Sequence, residues 1–355
     1  MSVSAFDHPI LSALVGDEDF ATLFSVAAEL AAILRFEAAL AEAEAEEDLI
    51  PAEAAEAISA ALKRFKPDIG ALNQGVAQDG VVVPALLRQV RETLADEHRV
   101  HLHFGGTSQD VIDTALAIRL SEAASLLAAR LDTVVETLDA LEKRDGGIEV
   151  MAHTRMQAAI PITAARKIAS WREPLMRHRA RLETVRKSVA TLTFGGAAGT
   201  LEKLGGKGAA VAARLARKLG LNVVAHARHS ERDGIADLAA FLSLVTGSLG
   251  KMGQDVALMA QSEMGEVKLS TGGGSSAMPH KHNPVKAETL VTLARFNATL
   301  LSGMHHALVH ENERSGAAWT LEWMLLPQMV VATGAALRTA NDLAGGISFV
   351  GRRKS

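Results

Sequence analysis

Residues 270–288 run Ser-Thr-Gly-Gly-Gly-Ser-Ser-Ala-Met-Pro-His-Lys-His-Asn-Pro-Val-Lys-Ala-Glu. Gly272, Gly273 and Gly274 remove the Cβ from three successive residues, which lets the chain move and approach a ligand closely. Two hydroxyls (Ser275, Ser276), an ammonium (Lys281), an amide (Asn283) and a carboxylate (Glu288) follow, with Pro279 and Pro284 stiffening the turn. A mobile loop that sets an acid/base hydroxyl beside an ammonium suits chemistry on a carboxylate-bearing substrate. The same glycines also suit a plain hinge between two helices, so the loop alone leaves both readings open.

Three other segments carry polar groups at breaks in the helical pattern. In residues 103–114 (HFGGTSQDVIDT), Thr107, Ser108 and Gln109 read as a helix N-cap with Asp110 in the first turn. The free N–H groups of that helix start read equally as an anion site. In residues 152–161 (AHTRMQAAIP), Thr154, Arg155 and Gln157 are either interhelical polar contacts or, for Arg155, a two-pronged clamp on a carboxylate. The third is the glycine-rich stretch 194–199, with Arg228-His229-Ser230-Glu231-Arg232-Asp233 downstream.

Several chemistries are disfavoured. Cysteine is absent, which removes disulfides, thiolate metal sites and a cysteine nucleophile, and fits a reducing cytoplasm. The histidine pairs 101/103, 280/282 and 305/306 lack the helical spacing, with its glutamate, of a zinc helix, so no metal is expected. No phosphate-cradling P-loop and no G-x-S-x-G serine elbow occurs. A net charge of -4, with acidic and basic side chains interspersed, gives no footprint for nucleic acid. Aromatics make up only 4% and tyrosine is absent, so base or sugar stacking is not favoured. The N-terminus lacks the apolar run of a signal peptide, and no uncharged stretch reads as long enough to cross a bilayer. A cytoplasmic protein with no membrane partner is expected.

Helices must position these groups, because apolar residues recur every three or four positions almost throughout. The spacing predicts one or two helices over 17–47, with Leu23, Ala27, Leu30, Leu34, Ala38 and Ala41 as the stripe, and a short one from Pro51 to about 65. An irregular Gly-Val-Val-Val-Pro piece at 80–84 precedes a helix holding Leu86, Leu87, Val90 and Leu94. Longer helices are predicted over 111–141, 162–189, 235–264, 286–311 and 318–344, with a short surface helix at 209–220. The fold class is therefore all-α, with an N-terminal helical domain over 1–105 and a long-helix bundle domain over 106–345. Helices of 25–30 residues span about 40 Å, and their wide apolar faces imply burial by further copies of the chain.

The string from Gly274 to Pro284, with Glu288 after it, is similar to the GSSxMPxKxNPxxxE signature of the fumarase/aspartase superfamily. HFGGTSQDVIDTA resembles that superfamily's Thr-Ser block with its substrate-binding histidine, and AHTRMQAAIP its GRTHxQxAxP block. Coverage runs from the N-terminus to about residue 345. FGGAAGTLEKLGGKG, RHSERDGIADLA and ENERSGAAWTLEW look most like the branch of bacterial 3-carboxy-cis,cis-muconate cycloisomerases, the lactonising enzymes of protocatechuate breakdown in the β-ketoadipate pathway.

That resemblance implies a cofactor-free reaction through an aci-carboxylate intermediate. One carboxylate of a 3-substituted muconate (carboxyl, or another anion such as sulfonate) adds to the conjugated alkene, and the α-carbon is protonated. Ser275 is the implied acid, with Lys281 and Asn283 as stabilisers of the extra charge joined by Thr107, Ser108 and Gln157. His103, Arg155, Lys281 and Arg314 are the implied cations for the anionic substrate. Gln109, Ser276, Met278 and Glu288 complete the implied substrate contacts. A homotetramer with active sites shared between subunits follows, and relatives of this kind continue into a small C-terminal helical domain that is expected to be largely absent here.

One departure matters. The lyases of the superfamily pair a histidine in the second block with the glutamate that here is Glu288; this chain has Arg155 at that position. The departure disfavours adenylosuccinate or argininosuccinate lyase activity, which stays as the alternative enzymatic reading. A helical oligomer without activity is the alternative of another class, disfavoured by the intact Ser275, Lys281, Asn283 and Glu288.

Overall fold

The computed structural model describes residues 3–270, 272–274, 277–278 and 281–351. Two short helices, α1 (Ser12–Val15) and α2 (Glu18–Thr22), precede α3 (Val26–Ala45), α4 (Ala52–Arg64), α5 (Ile69–Asp79), α6 (Val83–Glu92) and α7 (Asp96–Arg99). Five longer helices follow: α8 (Ser108–Asp145), α9 (Ala164–Val189), α11 (Asp233–Met259), α12 (Val285–His306) and α13 (Ala317–Gly346), with α10 (Gly208–Leu219) between α9 and α11. Two small antiparallel pairs complete the fold, β1 (Glu149–Thr154) with β2 (Gln157–Thr163) and β3 (Val267–Leu269) with β4 (Ile347–Phe349).

Local chemistry accounts for many boundaries. The predicted 17–47 helix divides because the Ser25 hydroxyl accepts from the Ala28 N–H and opens α3 afresh. Asp68 caps α5 in the same way, and Gly80 ends it in the left-handed conformation at φ 73°. The periodicity did not mark α5, since it buries only Leu72 and Gly75. Leu94 falls beyond the end of α6. α8 contains neither glycine nor proline and persists for 38 residues, longer at both ends than its apolar stripe predicts.

Side-chain pairs set the order of the long helices. Arg172 meets Asp139 and Arg179 meets Asp132, so α9 runs antiparallel to α8. Trp171 Nε1 donates to Asp255 and Arg181 to Asp237, so α11 runs antiparallel to α9. Gly250 and Gly253 of α11 lie so close to α12 that a Cβ would meet the Ala294 Cβ at 2.5 Å and the Ala287 carbonyl oxygen at 2.5 Å. α13 returns alongside α8 in parallel: Trp319 faces Asp113 near their starts, and Asn341 faces Thr137 toward their ends.

The bundle core holds Leu127, Leu131, Leu138, Ile168, Trp171, Phe241, Leu290 and Leu337. A second apolar core lies under α3, α4 and α6. It also takes in Val111, Ile112, Ala115 and Ile118 of α8 and Val211, Leu215 and Leu219 of α10, so it reaches well past residue 105. α10 is thus half in the core rather than a purely surface helix. The buried side of α3 is Ile33, Phe36, Leu40 and Ala43, rotated from the predicted stripe: Leu34 and Ala38 are only half-buried and Ala27 is exposed.

One expectation needs correction. Residues 149–163 form a β-hairpin instead of a simple break between helices: Val150 pairs with Ile162, and a two-residue turn pairs Thr154 with Gln157. α11 is long and apolar enough to cross a membrane by length and composition, although Asp237 and Lys251 bound its uncharged run. Here its apolar residues Phe241, Leu242, Val245, Leu249 and Val256 are buried in the bundle against α9, α12 and α13.

Candidate active site

The start of α8 is organised by two buried carboxylates one turn apart. Asp110 accepts from the backbone N–H groups of Thr107 (3.0 Å), Gly195 (2.8 Å) and Gly196 (2.9 Å), and His229 Nε2 lies 2.7 Å away. One side chain thereby ties together the helix cap, the glycine-rich 194–199 stretch and the 226–233 segment. Asp113 accepts from Arg232 Nη1 at 2.7 Å, Trp319 Nε1 at 2.9 Å and Gln109 Nε2 at 3.1 Å. Arg232 also forks onto Glu322, with Nε at 2.8 Å and Nη2 at 2.5 Å. Burial opposes the Glu322 charge, but Arg232 and His310 hold its carboxyl below the usual range. Arg232, in turn, is held protonated against its own burial by Asp113 and Glu322.

Thr107, Ser108, Gln109 and Arg314 meet at this end. Gln109 is fully buried and its amide is already engaged: Nε2 donates to Asp113 and to the His229 carbonyl, and Oε1 accepts from Arg314 Nε at 3.0 Å. Arg314 is exposed, yet it donates to the Thr107 hydroxyl at 3.1 Å and the Ala197 carbonyl at 3.2 Å. Thr107 and Ser108 are half-buried at the helix start, where Thr107 and Asp110 form a capping box. His103 sits just upstream against Gly106, its Nδ1 2.7 Å from Glu37 Oε1.

The remaining sequence-derived residues lie elsewhere. Arg155 and Met156 form the two-residue tip of the β1–β2 hairpin at φ 49° and 67°, and Arg155 and Gln157 are exposed. In the glycine loop, Gly273 and Asn283 exchange backbone hydrogen bonds at 2.9 and 2.8 Å, closing its base. Met278 and Lys281 are exposed beyond that clasp, Asn283 is half-buried, and Glu288 is exposed on the first turn of α12. Ser275 and Ser276 lie outside the described residues.

The loop and the Thr107 cluster belong to opposite ends of the bundle. Lys286, at the base of the loop, reaches Asp342 of α13, next to the Asn341 that accepts from Thr137 of α8. Gln109 and Thr137 are 28 residues apart on one helix, which at about 1.5 Å each is roughly 40 Å. The hairpin is rooted at the loop's end, where the Met151 N–H donates to Glu266. One chain thus keeps the two clusters apart, one at the cap of α8, the other around Lys281 and Asn283.

Sequence reasoning singled out Asp110 only as a first-turn acid and passed over Glu37, Asp113, His229, Arg232 and Glu322 as a connected set. The available signal was a charged residue in an otherwise apolar face: Glu37 and Glu44 fall on the same side of α3 as Ile33, Phe36 and Leu40.

A family model described as lyase matches residues 18–298. The 3-carboxy-cis,cis-muconate cycloisomerase of Pseudomonas aeruginosa is 40% identical over 338 residues, covering 93% of this chain and 73% of that protein. The solved 3-carboxy-cis,cis-muconate lactonizing enzyme from Pseudomonas putida superposes with a TM-score of 0.90 at 36% identity, over 97% of this chain and 78% of that one. A fumarate lyase from a Mesorhizobium species gives 0.88 at 32% identity, over 94% and 76%.

Proposed function

The chain belongs to the lyase family, and we propose that within it this protein is a cycloisomerase that closes 3-carboxy-cis,cis-muconate, or a closely related 3-substituted muconate, to its lactone. The observation that carries this reading is the likeness, over more than nine-tenths of the chain, to proteins bearing that name in both sequence and structure.

The chemistry needs no enzyme nucleophile. A carboxylate oxygen of the substrate forms the new C–O bond to the conjugated alkene, and the displaced electron pair moves onto the neighbouring carboxyl as an aci-carboxylate. Holding the diene curled supplies the near-attack geometry. Lys281 and Asn283 are the donors for the extra charge, where one preorganised donor is worth about 3–4 kcal/mol. Ser275 delivers the proton to the α-carbon. Thr107 and Ser108 bind a carboxylate at the start of α8, with Arg155 and Gln157 from the hairpin tip completing the cradle. No cofactor enters this scheme.

The two clusters, separated by roughly 40 Å along α8, support a homo-oligomer, read here as a tetramer, in which the loop of one chain meets the α8 start of another. The same reading assigns the protein to the cytoplasm and to breakdown of protocatechuate-type aromatic compounds. Purified protein incubated with 3-carboxy-cis,cis-muconate is expected to bleach the diene absorbance with no fumarate released. The likeness to the Mesorhizobium fumarate lyase favours one alternative, a fumarate-releasing lyase, and fumarate appearing from a succinyl substrate would establish it instead.

A further inference from the structure

α3 carries two carboxylic acids into the apolar core two turns apart, Glu37 (1% exposed) and Glu44 (0%). Among the described residues, Glu37 Oε2 and both Glu44 oxygens have no hydrogen-bond partner. Only an unusual arrangement keeps such groups in an interior, because an unpaired buried charge is strongly disfavoured. Glu37 Oε1 has one partner, His103 Nδ1, at 2.7 Å. His103 itself occupies the left-handed backbone region at φ 63°, which a non-glycine residue adopts only when its surroundings impose it. Its ring lies flat enough against Gly106 that a Cβ there would meet ring atoms at 3.1–3.5 Å. No hydrogen bond is made by Nε2 to any described residue.

We propose that Glu37 is the positioning residue for His103: it accepts from Nδ1, fixes the ring against Gly106 and leaves Nε2 as an N–H donor for a substrate carboxylate at the start of α8. The assignment of that donor to a muconate carboxylate rests on the proposed function; the Glu37–His103 couple itself does not.

The electrostatics agree with the geometry. Burial alone would strip the proton from His103, but the charge and hydrogen bond of Glu37, joined by the charge of Asp110, outweigh it and raise the imidazole above its usual value, with Arg91 opposing. Among the described residues, those three side chains are the charged groups that act on the ring, from α3, α8 and α6. Glu44 is pushed up to about 9, by burial first and by Glu37 second, so it stays neutral at neutral pH. Glu37, not Glu44, is the acid that meets His103, at 2.7 Å.

The test uses the full chain and two readouts. The His103 imidazole is titrated by NMR, its signal assigned by its loss in a His103→Gln variant, in wild type, Glu37→Gln and Glu37→Asp. KM and kcat for 3-carboxy-cis,cis-muconate are measured in parallel from about pH 6 to about pH 8. Glu37→Gln keeps the size and an acceptor oxygen but removes the charge. Its His103 is expected to titrate lower, with KM at the alkaline end rising roughly tenfold, more than kcat falls, and recovering at the acid end. Glu37→Asp should restore part of both. An unshifted His103 titration in a folded Glu37→Gln variant, or a KM that does not recover as pH falls, overturns the proposal. If Glu37→Gln does not fold, a wild-type His103 that titrates below free imidazole overturns it equally. A wild type that leaves muconate untouched refutes the proposed function alone, and the ring titration still decides whether Glu37 sets the state of His103.

Discussion

Arg232 bridges Asp113 and Glu322, donating to the first through Nη1 at 2.7 Å and to the second through Nε at 2.8 Å, with all three residues at most 6% exposed. This joins the second turns of α8 and α13 to the residue that precedes α11. Replacing Arg232 by Met leaves two carboxylates buried without their counterion, and the expected loss is about 3–5 kcal/mol of stability. Arg232→Lys recovers little of it, since a point charge cannot fork onto two acids. Urea unfolding of the two variants checks this, and a loss confined to the Met variant would show that charge alone suffices.

Arg155 stands on an exposed two-residue turn in a backbone conformation that favours glycine or asparagine, so nothing in local folding calls for arginine there. Its expected work is to hold a substrate carboxylate. Arg155→Ala should raise KM by about tenfold or more, the worth of a charge-assisted pair, with a smaller change in kcat. Steady-state kinetics on the muconate decide it, and an unchanged KM removes Arg155 from the site.

Ser275 bears the proton in the proposed reaction. Ser275→Ala should lower kcat by about a thousandfold, with an unchanged circular dichroism spectrum and melting temperature. A variant with full turnover would transfer the acid role to another group.

The roughly 40 Å between the Thr107 cluster and the loop predicts complementation. Two inactive chains, Thr107→Val and Lys281→Met, unfolded together and refolded are expected to regain activity, because some sites then draw both intact halves from different subunits. Refolded separately, each stays inactive. A mixture with no more activity than its parts would mean that one chain builds the whole site.

Glu44 makes stability depend on pH. Its folded value of about 9 lies above the 4.5 of an ordinary carboxyl, so the native state holds a proton that the unfolded chain releases. The contribution is fully present below about 4.5 and is lost as pH rises toward about 9. Wild type should therefore unfold more easily at the alkaline end of that window, and Glu44→Gln should flatten the decline. Equal slopes for the two proteins would mean that Glu44 is ionised in the fold.

Much of this molecule is legible residue by residue. Apolar spacing, the Asp110 first-turn acid, the absence of helix breakers from α8 and the crowded signature around Lys281 and Asn283 are all local properties, set within a few turns of chain. They suffice for an all-helical fold, for the family and for the breaks that carry chemistry. The rotation of α3 that turns Glu37 and Glu44 inward is another matter, as it depends on which neighbours cover which face. So is the joining of Asp113, Arg232 and Glu322, which are 119 and 90 residues apart along the chain. The engagement of Arg314 by Thr107 and Gln109, and the separation of the Thr107 cluster from the glycine loop, follow from the antiparallel and parallel order of long helices. Local rules determine that such helices form and what they carry; only packing decides which side chains meet across them, because a helix's register and rotation are set by the surfaces it buries against.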